Sequence, residues 1–83
     1  HYHDDHTDYA EQAAREFGVP IEYTPIQREV LEQPNAFRLP AMTANPIARG
    51  VVRADGFRRR WREFEFRFHD FPGQTLYHSA LLV

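Results

Sequence analysis

The chain opens with ligand-type side chains gathered within six residues, in the pattern His-x-His-x-Asp-His: His1, His3, Asp5 and His6. Imidazole nitrogens and carboxylate oxygens bind zinc and similar divalent metals. In extended backbone, side chains two residues apart point to the same side, so His1 and His3 can share one metal. Asp5 and His6 can hold a second. A carboxylate beside imidazoles also suits the orientation of a metal-activated water, which is a nucleophile at neutral pH.

Simpler origins also account for this N-terminal cluster. It can be a mobile polar terminus or the remnant of a purification tag. A free His1-Tyr2-His3 terminus can chelate copper or nickel through its amine, a backbone nitrogen and His3. Because the pattern starts at residue 1, we expect either a processed N-terminus or a piece of a larger protein.

A capped helix is predicted directly after the cluster. Thr7 is a suitable N-cap, residues 8–17 have helical periodicity, and Gly18 is a suitable C-cap. The expected buried stripe of this helix is Tyr9, Ala13, Ala14 and Phe17. The ligand-type cluster is therefore predicted to lie in a loop that leads into a helix N-terminus.

The middle of the chain is predicted to contain a strand at residues 19–24 and a second helix at residues 26–33. Pro25 suits the start of that helix, and Pro34 limits its end. Residues 35–46 hold Pro40, Pro46 and several small side chains, which indicates an irregular connection.

The last part of the chain is predicted to be β-structure. Residues 51–54 form a strand, and Asp55-Gly56 is a strong signal for a hairpin turn. Residues 57–69 alternate, which places His69 on the solvent side and three phenylalanines in the core: Phe64, Phe66 and Phe68. Residues 71–74 form a turn, and residues 75–83 form the last strand.

Length and composition fit one small domain over residues 1–83. The hydrophobic fraction is 42% and the net charge is −2, so the overall field favours neither nucleic acid nor an anionic membrane. No apolar run is long enough to span a membrane, and no signal-peptide pattern is present. Cysteine is absent, which excludes thiolate ligands and leads us to expect a cytoplasmic location. A chain this short usually needs a metal or a partner to supplement its core.

An arginine-rich segment, Arg58-Arg59-Arg60-Trp61-Arg62, is the second chemical feature of the chain. Arginines interleaved with an aromatic ring can contact phosphates and stack on bases. The segment also follows a predicted turn on a predicted strand, where charges usually mark a solvated face or a guarded edge. Because the chain is acidic overall, nucleic acid is not an expected partner.

Together these segments resemble the metallo-β-lactamase superfamily. HYHDDH at residues 1–6 resembles the family's His-x-His-x-Asp-His motif, and DYAEQAAREFGVPIEYTP at residues 8–25 resembles the helix and strand that follow it. FPGQTLYHSALLV at residues 71–83 resembles the family's PGHT loop and the next strand. The order and separation of these segments fit, so the resemblance spans essentially the whole chain.

One departure concerns a histidine ligand of the family. The histidine of the PGHT loop is Gln74 here, which is a poor zinc ligand, and His78 is expected to replace it by geometry. The resemblance implies His1, His3 and His78 around one metal and Asp5 with His6 on the other. Asp5 would be the catalytic residue that orients the attacking hydroxide. Zinc is expected, with two ions in the full-length protein, and manganese or iron are alternatives.

The resemblance also implies a fold and an activity. The fold is a four-layer αββα sandwich, of which this chain would form one or two helices on mostly antiparallel strands. The activity is metal-dependent hydrolysis of an ester, thioester, lactam or phosphoester-type bond in a small-molecule substrate.

Two further family ligands, a bridging aspartate and a final histidine, do not follow Val83. We therefore expect the remainder of the parent polypeptide or a second copy to complete the fold. The isolated chain should bind zinc weakly and hydrolyse little. The alternative is a small non-catalytic α+β binding or structural module with incidental N-terminal histidines.

Overall fold

Short helices occupy the first part of the chain in the computed structural model, which describes residues 1–83. The α-helices and the two 3-10 turns are α1 (Asp4–Thr7), α2 (Ala10–Phe17), α3 (Arg28–Glu32), Pro25–Gln27 and Pro34–Ala36. Gly18 ends α2 in the left-handed conformation, with φ +63°, and its N–H donates to the carbonyl of Ala14. The predicted C-cap is therefore confirmed, as is a second helical segment that ends before Pro34.

The predicted N-cap of the first long helix is wrong. Thr7 ends α1 instead, and its Oγ1 donates backwards to the carbonyl oxygens of Tyr2, at 3.3 Å, and His3, at 2.9 Å. Helix α2 begins two residues later than predicted, at Ala10, and Tyr9 makes no side-chain capping bond. The hydroxyl of Thr7 is used to close the turn of the histidine motif and is unavailable to the next helix.

Five strands form two separate sheets: β1 (Ile21–Tyr23), β2 (Gly50–Val52), β3 (Arg58–Trp61), β4 (Phe64–Asp70) and β5 (Ser79–Leu82). Strands β1 and β2 pair in parallel, with Ile21 opposite Gly50. Strands β3, β4 and β5 form an antiparallel sheet in that order. The long connection from Asn35 to Pro46 is irregular after its first 3-10 turn, in line with the prediction.

The hairpin predicted at Asp55-Gly56 does not form. A turn exists there, and Gly56 has φ +82°, but β2 pairs with β1 and β3 pairs with β4. The hairpin lies instead at Arg62-Glu63, in the middle of the single strand predicted for residues 57–69. Arg62 adopts φ +53°, and Trp61 pairs with Phe64 across the turn. A left-handed arginine is uncommon. The turn contains no glycine or asparagine, so the sequence gives no signal for a hairpin here.

The buried core is small and lies around the first part of the chain. Its five buried hydrophobic side chains are Tyr2, Tyr23, Val30, Leu31 and Ile47. The predicted helical stripe is not part of it, because Tyr9 is 76% exposed and Phe17 is 73% exposed. The phenylalanines of β4 are not core residues either: Phe64 is 41% exposed, and Phe66 and Phe68 are half-buried. No side chain of the antiparallel sheet is fully buried, so neither face of this sheet is enclosed.

A shared carboxylate connects the two sheets. Glu22 in β1 forms ion pairs with Arg53, at 2.7 Å, and with Arg59 of β3, at 2.6 Å, and its side chain is only 11% exposed. The guanidinium of Arg53 also lies 4.6 Å from the ring centre of Phe57. At the other end of the antiparallel sheet, the carboxylate of Asp70 accepts a bond from the backbone N–H of Ile26, at 3.4 Å.

These elements make a small α+β domain, which is the coarse fold class that the sequence predicts. None of the helices has the length and apolar character needed to cross a membrane.

Gly50 is the position where backbone packing is most restrictive. A Cβ atom added at Gly50 would overlap the ring of Tyr23, which is held by a 2.7 Å hydrogen bond from its hydroxyl to Glu32. We expect Gly50→Ala to reduce the free energy of unfolding by about 1–3 kcal/mol, because the ring and the parallel strand pair must separate. Urea denaturation measures this. Gly73→Ala is the matched control, since its Cβ would meet only the carbonyl of Phe71 at 3.8 Å. Equal stability of the two variants would contradict the packing argument.

Candidate metal centre

Tyr2 fixes the direction of the two histidines beside it. Its side chain is buried in the core and meets the ring of Tyr77 edge to face, with centroids 6.1 Å apart. Because successive side chains of extended backbone point to opposite sides, burial of Tyr2 places His1 and His3 together on the other side of this segment. Their rings lie 4.4 Å apart, and both are half-buried.

Helix α1 reverses the chain direction, so His6 comes close to His1. The backbone N–H of His6 donates to the carbonyl of His3, at 3.0 Å, and the Thr7 hydroxyl donates to the same carbonyl, at 2.9 Å. The backbone of Asp4 is held from outside by the carbonyl of Ala41, at 2.8 Å. The His6 ring thereby lies 4.2 Å from the His1 ring.

His78 reaches the same place from the other end of the chain. The loop between β4 and β5 is closed by a 2.8 Å bond from the N–H of Phe71 to the carbonyl of His78. Within this loop Tyr77 packs on Phe37 and Tyr2. The His78 ring then stacks on the His1 ring, with centroids 4.7 Å apart and planes 25° apart.

His1 is thus the centre of a cluster of four imidazoles, the others being His3, His6 and His78. Asp5 adds a carboxylate, whose Oδ2 lies 3.8 Å from Nε2 of His6. One ligand atom each from His1, Asp5 and His6 lie within 4.8 Å of one another. This grouping differs from the predicted division of the ligands. The resemblance implies His1, His3 and His78 on one metal and Asp5 with His6 on the other.

Two ring nitrogens in the cluster are buried without a hydrogen-bond partner: Nε2 of His1 and Nδ1 of His78. An unpaired buried polar atom costs about 1–3 kcal/mol, so such atoms are uncommon in folded proteins and each calls for an explanation. A lone pair on an unpaired imidazole nitrogen is a metal-ligating group. Imidazole nitrogen and carboxylate oxygen together are ligand types that divalent metal ions accept.

Burial and neighbouring positive charges favour the neutral form of His78. Burial lowers the pKa of His78 below its ordinary value, and the positive charges of the N-terminal amine, His6 and His3 lower it further. Burial also lowers the pKa of the N-terminal amine of His1, against the opposite influence of Asp5. Neutral imidazole is the form that ligates metals, so the packing favours the binding-competent form of His78 at neutral pH.

The other predicted features lie outside this cluster. Gln74, in the position of the family's histidine, is exposed. His69 pairs with Asp55 instead, with Nδ1 and Oδ1 3.2 Å apart. In the arginine segment, Arg59 is engaged by Glu22, while the Arg62 guanidinium lies 4.7 Å from the ring centre of Trp61.

Supporting residues of the cluster were missed by the sequence reasoning. Thr7 closes the motif turn, and Gln27 and Ser79 form a 3.0 Å side-chain bond directly beside His78. The signal for Gln27 was present, because Thr24-Pro25-Ile26-Gln27 has the Thr-x-x-Gln spacing of a capping box. A cleft of about 240 Å³ adjoins the cluster, and its lining includes His1, His6, Gln27 and Ser79.

Comparisons with protein-family models, with curated proteins and with solved structures found no match for this chain. The family resemblance rests on the residues and motifs themselves.

The lowered pKa of His78 predicts a pH dependence of stability. The unfolded chain takes up a proton near the ordinary value of 6.5, whereas the folded chain resists it to lower pH. Stability is therefore fully present above pH 6.5 and is lost as the pH falls through the lowered pKa. Urea denaturation with a chelator present, between about pH 7 and pH 5, measures the loss.

The control separates His78 from the other histidines. We expect His78→Gln to flatten the pH profile, and His69→Gln to leave it nearly as steep as in the wild type. A His78→Gln profile as steep as that of the wild type would contradict the assignment.

Proposed function

We propose that this chain is part of a metal-dependent hydrolase of the metallo-β-lactamase type, built on that family's four-layer αββα sandwich. The observation that carries the proposal is the position of His78. A histidine from the far end of the chain stacks on His1, at 4.7 Å, within the N-terminal ligand cluster. A frayed polar terminus or a purification tag gives no reason for such a contact.

The proposed metal ligands are His1, His3, Asp5, His6 and His78. By the family resemblance, His1, His3 and His78 would hold one ion, and Asp5 and His6 a second. The close grouping of His1 with Asp5 and His6 also supports a single ion position that is shared by ligands of both sets. Zinc is the first choice for this nitrogen and oxygen donor set, and manganese or iron also accept it.

The chemistry would be hydrolysis of a small molecule. A bound divalent cation supplies a water of lowered pKa and polarises the bond to be cleaved. Asp5 is exposed at the edge of the cluster, so its carboxylate would accept a hydrogen bond from that water and orient it. In the overall reaction the water oxygen would bond to the carbonyl carbon or to the phosphorus atom of the substrate. The bond to the leaving group breaks, and a proton goes to the leaving group. Ester, thioester, lactam and phosphoester-type bonds all fit this scheme.

A zinc-binding experiment tests the proposal and separates it from incidental chelation by the N-terminus. We expect His78→Ala and His6→Ala to weaken zinc binding at least roughly 10-fold, because even loss of a residue that only supports a ligand costs 10–100-fold. Isothermal titration and metal analysis after dialysis measure this. His69→Ala is the matched control, since His69 pairs with Asp55 outside the cluster.

The rival interpretations give different results. Chelation by the amine, a backbone nitrogen and His3 would be lost in His3→Ala but would be unaffected by His78→Ala. A small non-catalytic module would leave zinc binding equal in all the variants or absent in the wild type. Either result would contradict the proposed metal centre.

A further inference from the structure

Gln27 lies buried at the junction between the second helical segment and the antiparallel sheet. It is 4% exposed, and its Oε1 accepts two hydrogen bonds. One comes from the backbone N–H of Thr24, at 3.4 Å, and the other from the hydroxyl of Ser79, at 3.0 Å. An amide oxygen has two lone pairs, so both acceptor sites of this oxygen are used.

Ser79 is the residue that links Gln27 to the histidine cluster. It opens β5 directly after His78, and in the sheet it pairs with Asp70. Asp70 is itself attached to the same helical turn through the N–H of Ile26, at 3.4 Å. The turn at residues 24–27 is therefore bonded to both Asp70 and Ser79, which face each other across β4 and β5. His78 directly precedes Ser79.

We propose that Gln27 is a positioning residue, which fixes His78 beside His1 through Ser79. The backbone of His78 is held on its carbonyl by Phe71, at 2.8 Å, and on its C-terminal side by the Gln27–Ser79 bond. Gln27 also lines the cleft that adjoins His1 and His6, so it contributes to the wall of the site as well. This inference rests on the proposed metal-binding function.

The first test changes the acceptor at position 27. Gln27→Met keeps similar volume but accepts no strong hydrogen bond, whereas Gln27→Glu keeps an acceptor oxygen for both donors. With Co²⁺ as the probe, we expect Gln27→Met to weaken binding roughly 10-fold, the lower end of the range for residues that support a ligand. Gln27→Glu should show no such loss, because the acceptor is kept and a carboxylate near the cation does not oppose its binding. Gln12→Met, on the exposed surface of α2, is the matched control.

A double-variant cycle separates positioning from general destabilisation. If Gln27 acts through His78, then Gln27→Met has no further effect on Co²⁺ affinity once His78→Ala is present. The visible absorption spectrum of the Co²⁺ form of Gln27→Met should also shift towards that of His78→Ala. An equal loss of affinity in both backgrounds, or an unchanged affinity in Gln27→Met, would overturn the inference.

A metal-free measurement distinguishes failure of this inference from failure of the proposed function. Nuclear Overhauser contacts between the ring protons of His1 and His78 should be present in the wild type and in Gln27→Glu, and lost in Gln27→Met. A wild type that binds no Co²⁺ contradicts the proposed function, and the ring contacts then decide the positioning role alone. Ring contacts retained in Gln27→Met overturn that role.

Discussion

The contact between Tyr2 and Tyr77 is the interaction on which the arrangement of the histidines depends. Each tyrosine has a histidine as a direct neighbour, and the two rings meet edge to face with centroids 6.1 Å apart. Such aromatic pairs contribute about 0.5–1.5 kcal/mol beyond the burial of their area. The larger consequence is geometric. Two aromatic side chains from opposite ends of the chain pack together, and this contact brings the histidines beside them into proximity.

The histidine cluster is costly for a domain with so little core. Only five hydrophobic side chains are buried, yet Nε2 of His1 and Nδ1 of His78 lie unpaired nearby. Folded proteins tolerate such groups where another function requires them. In the proposed site a cation would bind both nitrogens, so metal binding and folding would be thermodynamically coupled.

Local signals in the sequence predicted local structure well. Gly18, Pro25 and Pro34 mark the ends of helical segments because each restricts or frees its own backbone. His78 was placed near the N-terminal histidines by family resemblance and spacing, without a contact to support it.

The failures came where other residues competed for a group or a strand that has a strong local preference of its own. Thr7 has the side chain of an N-cap, but the carbonyls of Tyr2 and His3 compete for its hydroxyl. Asp55-Gly56 has the chemistry of a hairpin, but β1 takes the strand that would have paired. The Gln27–Ser79 bond joins residues far apart in sequence, so no local pattern could predict it.

The shared carboxylate of Glu22 has a consequence for how the domain unfolds. The two sheets have no hydrogen-bonded strands in common, but Glu22 binds an arginine that follows β2 and another within β3. Separating the sheets would break the Glu22–Arg59 pair together with the Ile26–Asp70 and Gln27–Ser79 bonds at the other end of the antiparallel sheet. Both halves should therefore melt as one cooperative unit. The fluorescence of the only tryptophan, Trp61 in β3, would then report the loss of the histidine-bearing half as well.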